Sequence, residues 1–205
     1  LKEGKVHSTV TISGGETRSI VTDKALIAVG RRPVSEGIGL EKVRIAISRG
    51  FIPVDEHMET NVQGFFAIGD VVPTQQLAHL ASHEGILAMS HIAGEETKPI
   101  NYDQVPNCTY CHPEVASVGL TELAAKERGH EVIASKFPFA AIGKATILGE
   151  NEGFVKLVCD KRYKEILGVH MIGPHVTELI AEGTAVIGLE ATARDVSHLI
   201  HAHPT

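Results

Sequence analysis

Residues 64–70, Gly-Phe-Phe-Ala-Ile-Gly-Asp, run four apolar side chains straight into a glycine and an acid. An apolar run this short suits a strand buried on both faces, and the glycine lets the chain leave the sheet. Ala25 to Val29 repeats the pattern and ends in Gly30-Arg31-Arg32-Pro33, while Phe51 to Asp55 supplies a third strand of the same kind. Such strands need helices over them, and in open α/β sheets ligands bind at the strands' C-terminal edge. There Gly69 would let a cofactor approach the backbone, and Asp70 would accept a hydrogen bond from a sugar or polyol hydroxyl. The alternative is an ordinary turn with a helix-capping Asp, since Gly-Asp is common in turns.

The other elements follow from periodicity. Val6, Ser8, Val10 and Ile12 alternate with Lys5, His7, Thr9 and Thr11, and Gly14-Gly15 returns the chain into Thr17–Thr22, which predicts a β-hairpin. One long helix is expected from Gln75 to about Ala93, with Leu77, Leu80, Ala81, Ile86, Leu87 and Met89 as its apolar positions and His83-Glu84 solvated. Gly94-Glu95-Glu96-Thr97-Lys98-Pro99 marks a domain boundary. Beyond it, strands are predicted at Val115–Leu120, Val132–Phe137, Phe154–Cys159 and Ile166–Ile172, with helices from Thr121 to about Gly129 and from Val176 to Leu189. A last helix starts at Thr192, where Thr192 and Asp195 have capping-box spacing, carries Val196, Leu199 and Ile200 on one face, and must stop by His203 because Pro204 follows. Strands mixed with helices and no repeat of fixed period give an α/β or α+β fold class.

Charge and composition exclude several functions. With 19 Lys+Arg against 25 Asp+Glu the formal charge is -6, and no basic run exists, so nucleic acid is not an expected partner. No apolar run approaches the roughly 20 residues of a membrane helix, so no membrane partner is expected either. Leu1-Lys2-Glu3-Gly4 has neither an initiator Met nor a signal-peptide pattern, and the chain is expected to begin within a domain. Three cysteines are too few for a disulfide scaffold and fit a reducing compartment.

Cys108-Thr109-Tyr110-Cys111 has the spacing of a redox pair. A thioredoxin-like pair needs a helix N-terminus to lower its thiol pKa, whereas this one runs between Pro106 and Pro113 in extended or turn conformation, so two unlinked thiols are expected. Zinc would need two more ligands at finger spacing, and only Cys159 remains. Twelve histidines include His79 with His83, one helical turn apart, and the group His198, His201 and His203. No carboxylate or Cys completes a metal set at His79 and His83. His203 stands apart because Pro204 restricts its backbone and because an imidazole titrates where a general acid-base must work; the competing reading is a plain turn residue.

Taken in order, these residues resemble the pyridine nucleotide-disulfide oxidoreductases over essentially the whole chain. The resemblance rests on Ala28-Val29-Gly30-Arg31-Arg32-Pro33, similar to the exit from an NAD-binding domain, and on Gly50-Phe51-Ile52-Pro53-Val54 leading into Ala67-Ile68-Gly69-Asp70-Val71, similar to a flavin-binding motif. Leu77-Ala78-His79 with Glu84-Gly85 matches the helix start beside the flavin ring. Val105-Pro106, His112-Pro113-Glu114-Val115-Ala116-Ser117-Val118-Gly119, Lys136-Phe137-Pro138-Phe139 and His201-Ala202-His203-Pro204-Thr205 match the dimerisation domain.

The resemblance implies residues 1–33 as the end of an NAD-binding domain, 34–100 as the C-terminal part of an FAD-binding domain, and 101–205 as a dimerisation domain cut short at its C-terminus. It implies FAD and NAD as cofactors, with Gly30, Gly69, Asp70, Leu77, Ala78 and His79 at them. Asp70 would bond the ribityl chain, and the Leu77–His79 backbone would donate to the flavin ring at a helix N-terminus. His203 would exchange a proton with a dithiol on the opposite subunit of a homodimer. The reaction implied is that of the branch oxidising protein-bound dihydrolipoamide, with electrons passing through a redox disulfide and FAD to NAD+. Its partners would be the lipoyl domains of 2-oxo acid dehydrogenase or glycine cleavage complexes, in a bacterial cytoplasm or a mitochondrial matrix. Glutathione- or mercury-reducing members, or a non-catalytic dimerisation module, are the alternatives. The sequence contains no G-x-G-x-x-G and no C-x-x-x-x-C, and the Glu that would orient His203 is expected beyond Thr205, so these 205 residues by themselves are expected to be inactive.

Overall fold

The computed structural model describes residues 4–205. Its largest unit is a five-stranded, wholly antiparallel sheet formed by β3 (Asn107–Thr109), β4 (Glu114–Gly119), β5 (Val132–Pro138), β6 (Phe154–Asp160) and β7 (Ile166–Gly173) in the order β3-β4-β7-β6-β5. The period-2 patterns explain why it forms. Ala116 faces Met171, Val118 faces Val169, Leu157 faces Val169 and Val155 faces Met171, so alternate residues of three strands make one apolar layer. The residues between them, Ser117, His170 and Lys156, lie on the opposite, polar face.

Helix α4 (Val176–Gly188) covers the apolar layer with Val176, Ile180, Gly183 and Ile187, a stripe of helical period. Burying one such Ile is worth about 2 kcal/mol. Gly183 brings the helix close, because a Cβ there would lie 3.2 Å from that of Val169. On the polar face, Lys156 reaches Glu122 of α2 (Glu122–Glu127) at 2.9 Å. Lys126, then Lys156, holds the Glu122 carboxyl down to about 2. Helices packed on an antiparallel sheet make this an α+β arrangement, within the expected mixed class.

Caps behave as their residue types dictate. The Thr121 hydroxyl accepts from the Ala124 N–H at the start of α2. Thr192 and Asp195 complete a reciprocal capping box on α5 (Ala193–Ser197). That helix ends earlier than expected: His198 is its C-cap, and Leu199, Ile200 and His201 lie outside it, exposed. Five residues bury too little apolar surface to extend a helix against fraying. Neither strand β3 nor the α-helix α3 (Gly143–Leu148) had a sequence expectation.

The first half departs further. The hairpin forms as expected from β1 (Val6–Thr11) and β2 (Thr17–Thr22), with Val6 opposite Thr22 and Gly14 and Gly15 at positive φ in the turn. The three predicted buried strands do not form. Residues 24–30 contain no strand, and Leu26 and Val29 are 92% and 93% exposed. A strand apolar on both faces gets its hydrogen bonds and its cover from neighbouring strands, and among the described residues none lies beside this segment. Phe51 and Phe66 make isolated bridges, to Ser48 and Glu59 respectively, and Gly69–Val71 is a single 3-10 turn. These loops fold around a small core of Ile45, Ile52, Ala67 and Val72.

The predicted long helix is α1 (Ala78–Ile92), and its faces differ from the expectation. Ile86 and Met89 are 63% and 64% exposed, while Glu84, expected in solvent, is wholly buried. The inner stripe is Leu80, Glu84, Leu87 and Ala88, with the acid occupying a core position.

Candidate functional site

Asp70 and the start of α1 come together although the chain runs through Val72, Pro73 and Thr74 between them. The Gln76 side chain donates to the Asp70 carbonyl at 3.2 Å, and Arg31 bridges the Asp70 carboxylate at 3.4 Å and the Gln76 carbonyl at 2.5 Å. Gly69 adopts φ +75, and a Cβ there would lie 3.3 Å from that of Ala81. Gly85 is equally close to Ile68, at 3.2 Å. Small residues on α1 therefore let the Gly69-Asp70 turn rest directly on the helix.

The N-terminus of α1 presents backbone donors. Its N-cap, Leu77, is extended and supplies no side-chain cap, so the N–H groups of the first turn are available to an outside acceptor. The Leu77 N–H itself is turned onto the Gln75 carbonyl at 2.9 Å, leaving Ala78 and His79 to provide the donors. The His79 side chain points elsewhere. Its Nε2 bonds the Pro106 carbonyl at 2.8 Å, and it lines a cleft of about 450 Å³ with Leu80, His83, Val105 and Pro106. His83 is exposed and uses Nδ1 on the His79 carbonyl.

Two features of this site were not foreseen. Arg31, which the sequence offers only as part of Gly30-Arg31-Arg32-Pro33, crosses from the segment after Gly30 to the Asp70 turn. Glu84 accepts from the Gly69 N–H and from the Thr74 hydroxyl, both at 2.7 Å. The available signal was its spacing, four residues after Leu80 and four before Ala88, which puts an acid in an apolar stripe. Gly30 itself lies exposed, at φ +135, with open space where a Cβ would stand.

The other candidates lie apart. Cys108 is half-buried in β3, and burial, then Glu114 and Glu178, pushes its thiol up, away from the thiolate that redox chemistry needs. Cys111 is exposed in the following turn, and both are free thiols. His203 stands exposed in the C-terminal tail before a cis proline. The neighbouring His201 bonds Glu182 of α4 at 2.7 Å, and this carboxylate, with the Leu199 carbonyl, raises the imidazole above its ordinary 6.5. Among the described residues no three His, Cys, Asp or Glu side chains gather as a metal set, and no helix is long and apolar enough to cross a membrane.

Arranged in this way, the chain can accept a hydroxyl at Asp70 and donate to an electron-rich ring edge at α1. Comparison with known proteins shows the family. Residues 2–85 match the model of the pyridine nucleotide-disulphide oxidoreductases, and residues 105–205 match the dimerisation domain of the same family. A dihydrolipoyl dehydrogenase of Bacillus subtilis is 51% identical over 191 residues, covering 93% of this chain and 40% of that protein. One from Rhizobium etli is 44% identical over 203 residues, covering 98% and 42%. The crystal structure of LpdA from Mycobacterium tuberculosis superposes with a TM-score of 0.86 at 27% identity, covering 96% of this chain and 43% of that one. The chain thus spans about two fifths of the length of the relatives it matches. With both family models matched along most of its residues, the chain belongs to the pyridine nucleotide-disulphide oxidoreductases.

Proposed function

We propose that this sequence serves a dihydrolipoyl dehydrogenase, a homodimeric flavoprotein that oxidises protein-bound dihydrolipoamide and reduces NAD+. The observation that carries the reading is the convergence of the Asp70 turn with the uncapped start of α1, which fits a flavin on both sides. Asp70 accepts from the ribityl hydroxyls, and the Ala78 and His79 N–H groups donate to the ring, where the positive end of the helix dipole favours negative charge. Bound FAD supplies the electron path from dithiol to NAD+. Gly30 borders the NAD-binding part and Gly69 gives the flavin chain access to the backbone.

In this reading residues 1–33 close an NAD-binding domain, 34–100 belong to an FAD-binding domain, and 101–205 form the dimer interface. The match of 105–205 to a dimerisation domain supports the two-fold pairing. His203 is the acid-base that takes the proton released when a dithiol attacks a disulfide across that interface. Lipoyl domains of 2-oxo acid dehydrogenase or glycine cleavage complexes are the partners, in a bacterial cytoplasm or a mitochondrial matrix.

A full-length polypeptide carrying this sequence, expressed and purified, decides the matter. It is expected to be yellow and to reduce NAD+ with dihydrolipoamide but not with glutathione. A colourless protein that binds no FAD when titrated overturns the flavin assignment, and one that acts only on glutathione disulfide overturns the substrate.

A further inference from the structure

We infer that Glu84 is the positioning residue that locks the two halves of the flavin site together, an inference that rests on the flavin reading above. Its side chain is 0% exposed, in a stripe otherwise made of Leu80, Leu87 and Ala88. A carboxylate in such a place is costly unless its oxygens are satisfied. Here each oxygen has one donor: Oε2 accepts from the Gly69 N–H and Oε1 from the Thr74 hydroxyl, both at 2.7 Å.

These two donors flank Asp70. Gly69 precedes it in the 3-10 turn, and Thr74 lies on the short stretch that returns the chain to α1. A single side chain on the second turn of α1 therefore holds both ends of the loop that carries Asp70, and it does so from the helix whose first turn offers the ring donors. The packing agrees, because Ala81 and Gly85, on either side of Glu84, are the residues against which Gly69 and Ile68 rest. Without the Glu84 acceptor the Gly69 N–H would be stranded under the helix, and relieving it would move Asp70 relative to Ala78 and His79. The charge also reaches Tyr102, whose hydroxyl is raised first by burial and then by Glu84.

Three variants of the full-length, FAD-loaded protein separate positioning from simple stability. Glu84→Gln keeps an acceptor for Gly69 and an amide that can donate to Thr74, so FAD affinity is expected to stay within about threefold of the wild type. Glu84→Leu keeps the volume and removes both acceptors, and stranding a buried N–H should weaken FAD binding roughly ten- to a hundredfold. Thr74→Val removes one bond with little change of shape and should fall between them. If Glu84→Leu does not fold, Thr74→Val and hydrogen exchange at the Gly69 amide decide: exchange should stay slow in Glu84→Gln and quicken in Thr74→Val. The inference is overturned if Thr74→Val and a folded Glu84→Leu hold FAD as tightly as the wild type, or if Glu84→Gln loses affinity as fully as Glu84→Leu. A wild-type protein that binds no FAD sinks the flavin reading itself, whereas tight binding by the wild type and by all variants sinks only the role of Glu84.

Discussion

Glu182 of α4 and His201 of the C-terminal tail are joined, Oε1 to Nε2, at 2.7 Å. That pair fastens the tail, which also carries His203, to a helix rooted in the core.

Because the Glu182 hydrogen bond raises the folded-state pKa of His201 above 6.5, its stabilising contribution is complete below about pH 6.5 and is lost as pH rises through the raised value. NMR titration should show the His201 midpoint above 6.5, and Glu182→Gln should bring it back toward that value. A midpoint unchanged by Glu182→Gln would mean that the pair does not exist in solution.

His203 and His201 should separate kinetically. In the full-length enzyme, His203→Gln is expected to lower turnover roughly 10²–10⁴-fold, the usual contribution of a general acid-base. His201→Gln touches only an exposed tether, screened by solvent, so the loss should stay under about tenfold. Near wild-type turnover of dihydrolipoamide by His203→Gln would remove that residue from its role.

Two glycines at positive φ should respond very differently to alanine. A Cβ on Gly153, at φ +110, would sit 1.8 Å from the Ile172 carbonyl oxygen, a backbone atom held in the sheet. Gly149, at φ +72, closes α3 with nothing within 4 Å. Gly149→Ala should cost about 1 kcal/mol, the left-handed penalty alone. Gly153→Ala should cost about 4 kcal/mol or more, because β6 and β7 must part at that end. Urea denaturation of the two variants tests this, and equal midpoints would contradict it.

What the sequence determined alone is what local rules govern. The antiparallel strands β4 to β7 follow from alternation in their own residues, and the hairpin from Gly14-Gly15. The Thr121 cap and the Thr192–Asp195 box follow from side chains that bond backbone groups three residues away. The turn at Gly69-Asp70 was legible for the same reason, whereas α1 starts at Ala78 and not at the expected Gln75, with no side-chain cap to mark the place.

Tertiary structure decided everything that depends on a distant partner. Apolarity at Ala25–Val29 states a need for cover but does not provide it, so the segment lies open where, among the described residues, no strand pairs with it. Glu84 reads as a solvated acid until the Gly69 N–H and the Thr74 hydroxyl are brought to it, and only that meeting makes a buried carboxylate tolerable. Pro204 sets His203 apart from His201 in the sequence, but nothing there gives His201 a partner until α4 carries Glu182 to it. Periodicity is written residue by residue along the chain, whereas a hydrogen bond between residues far apart in sequence exists only once the fold has closed the distance.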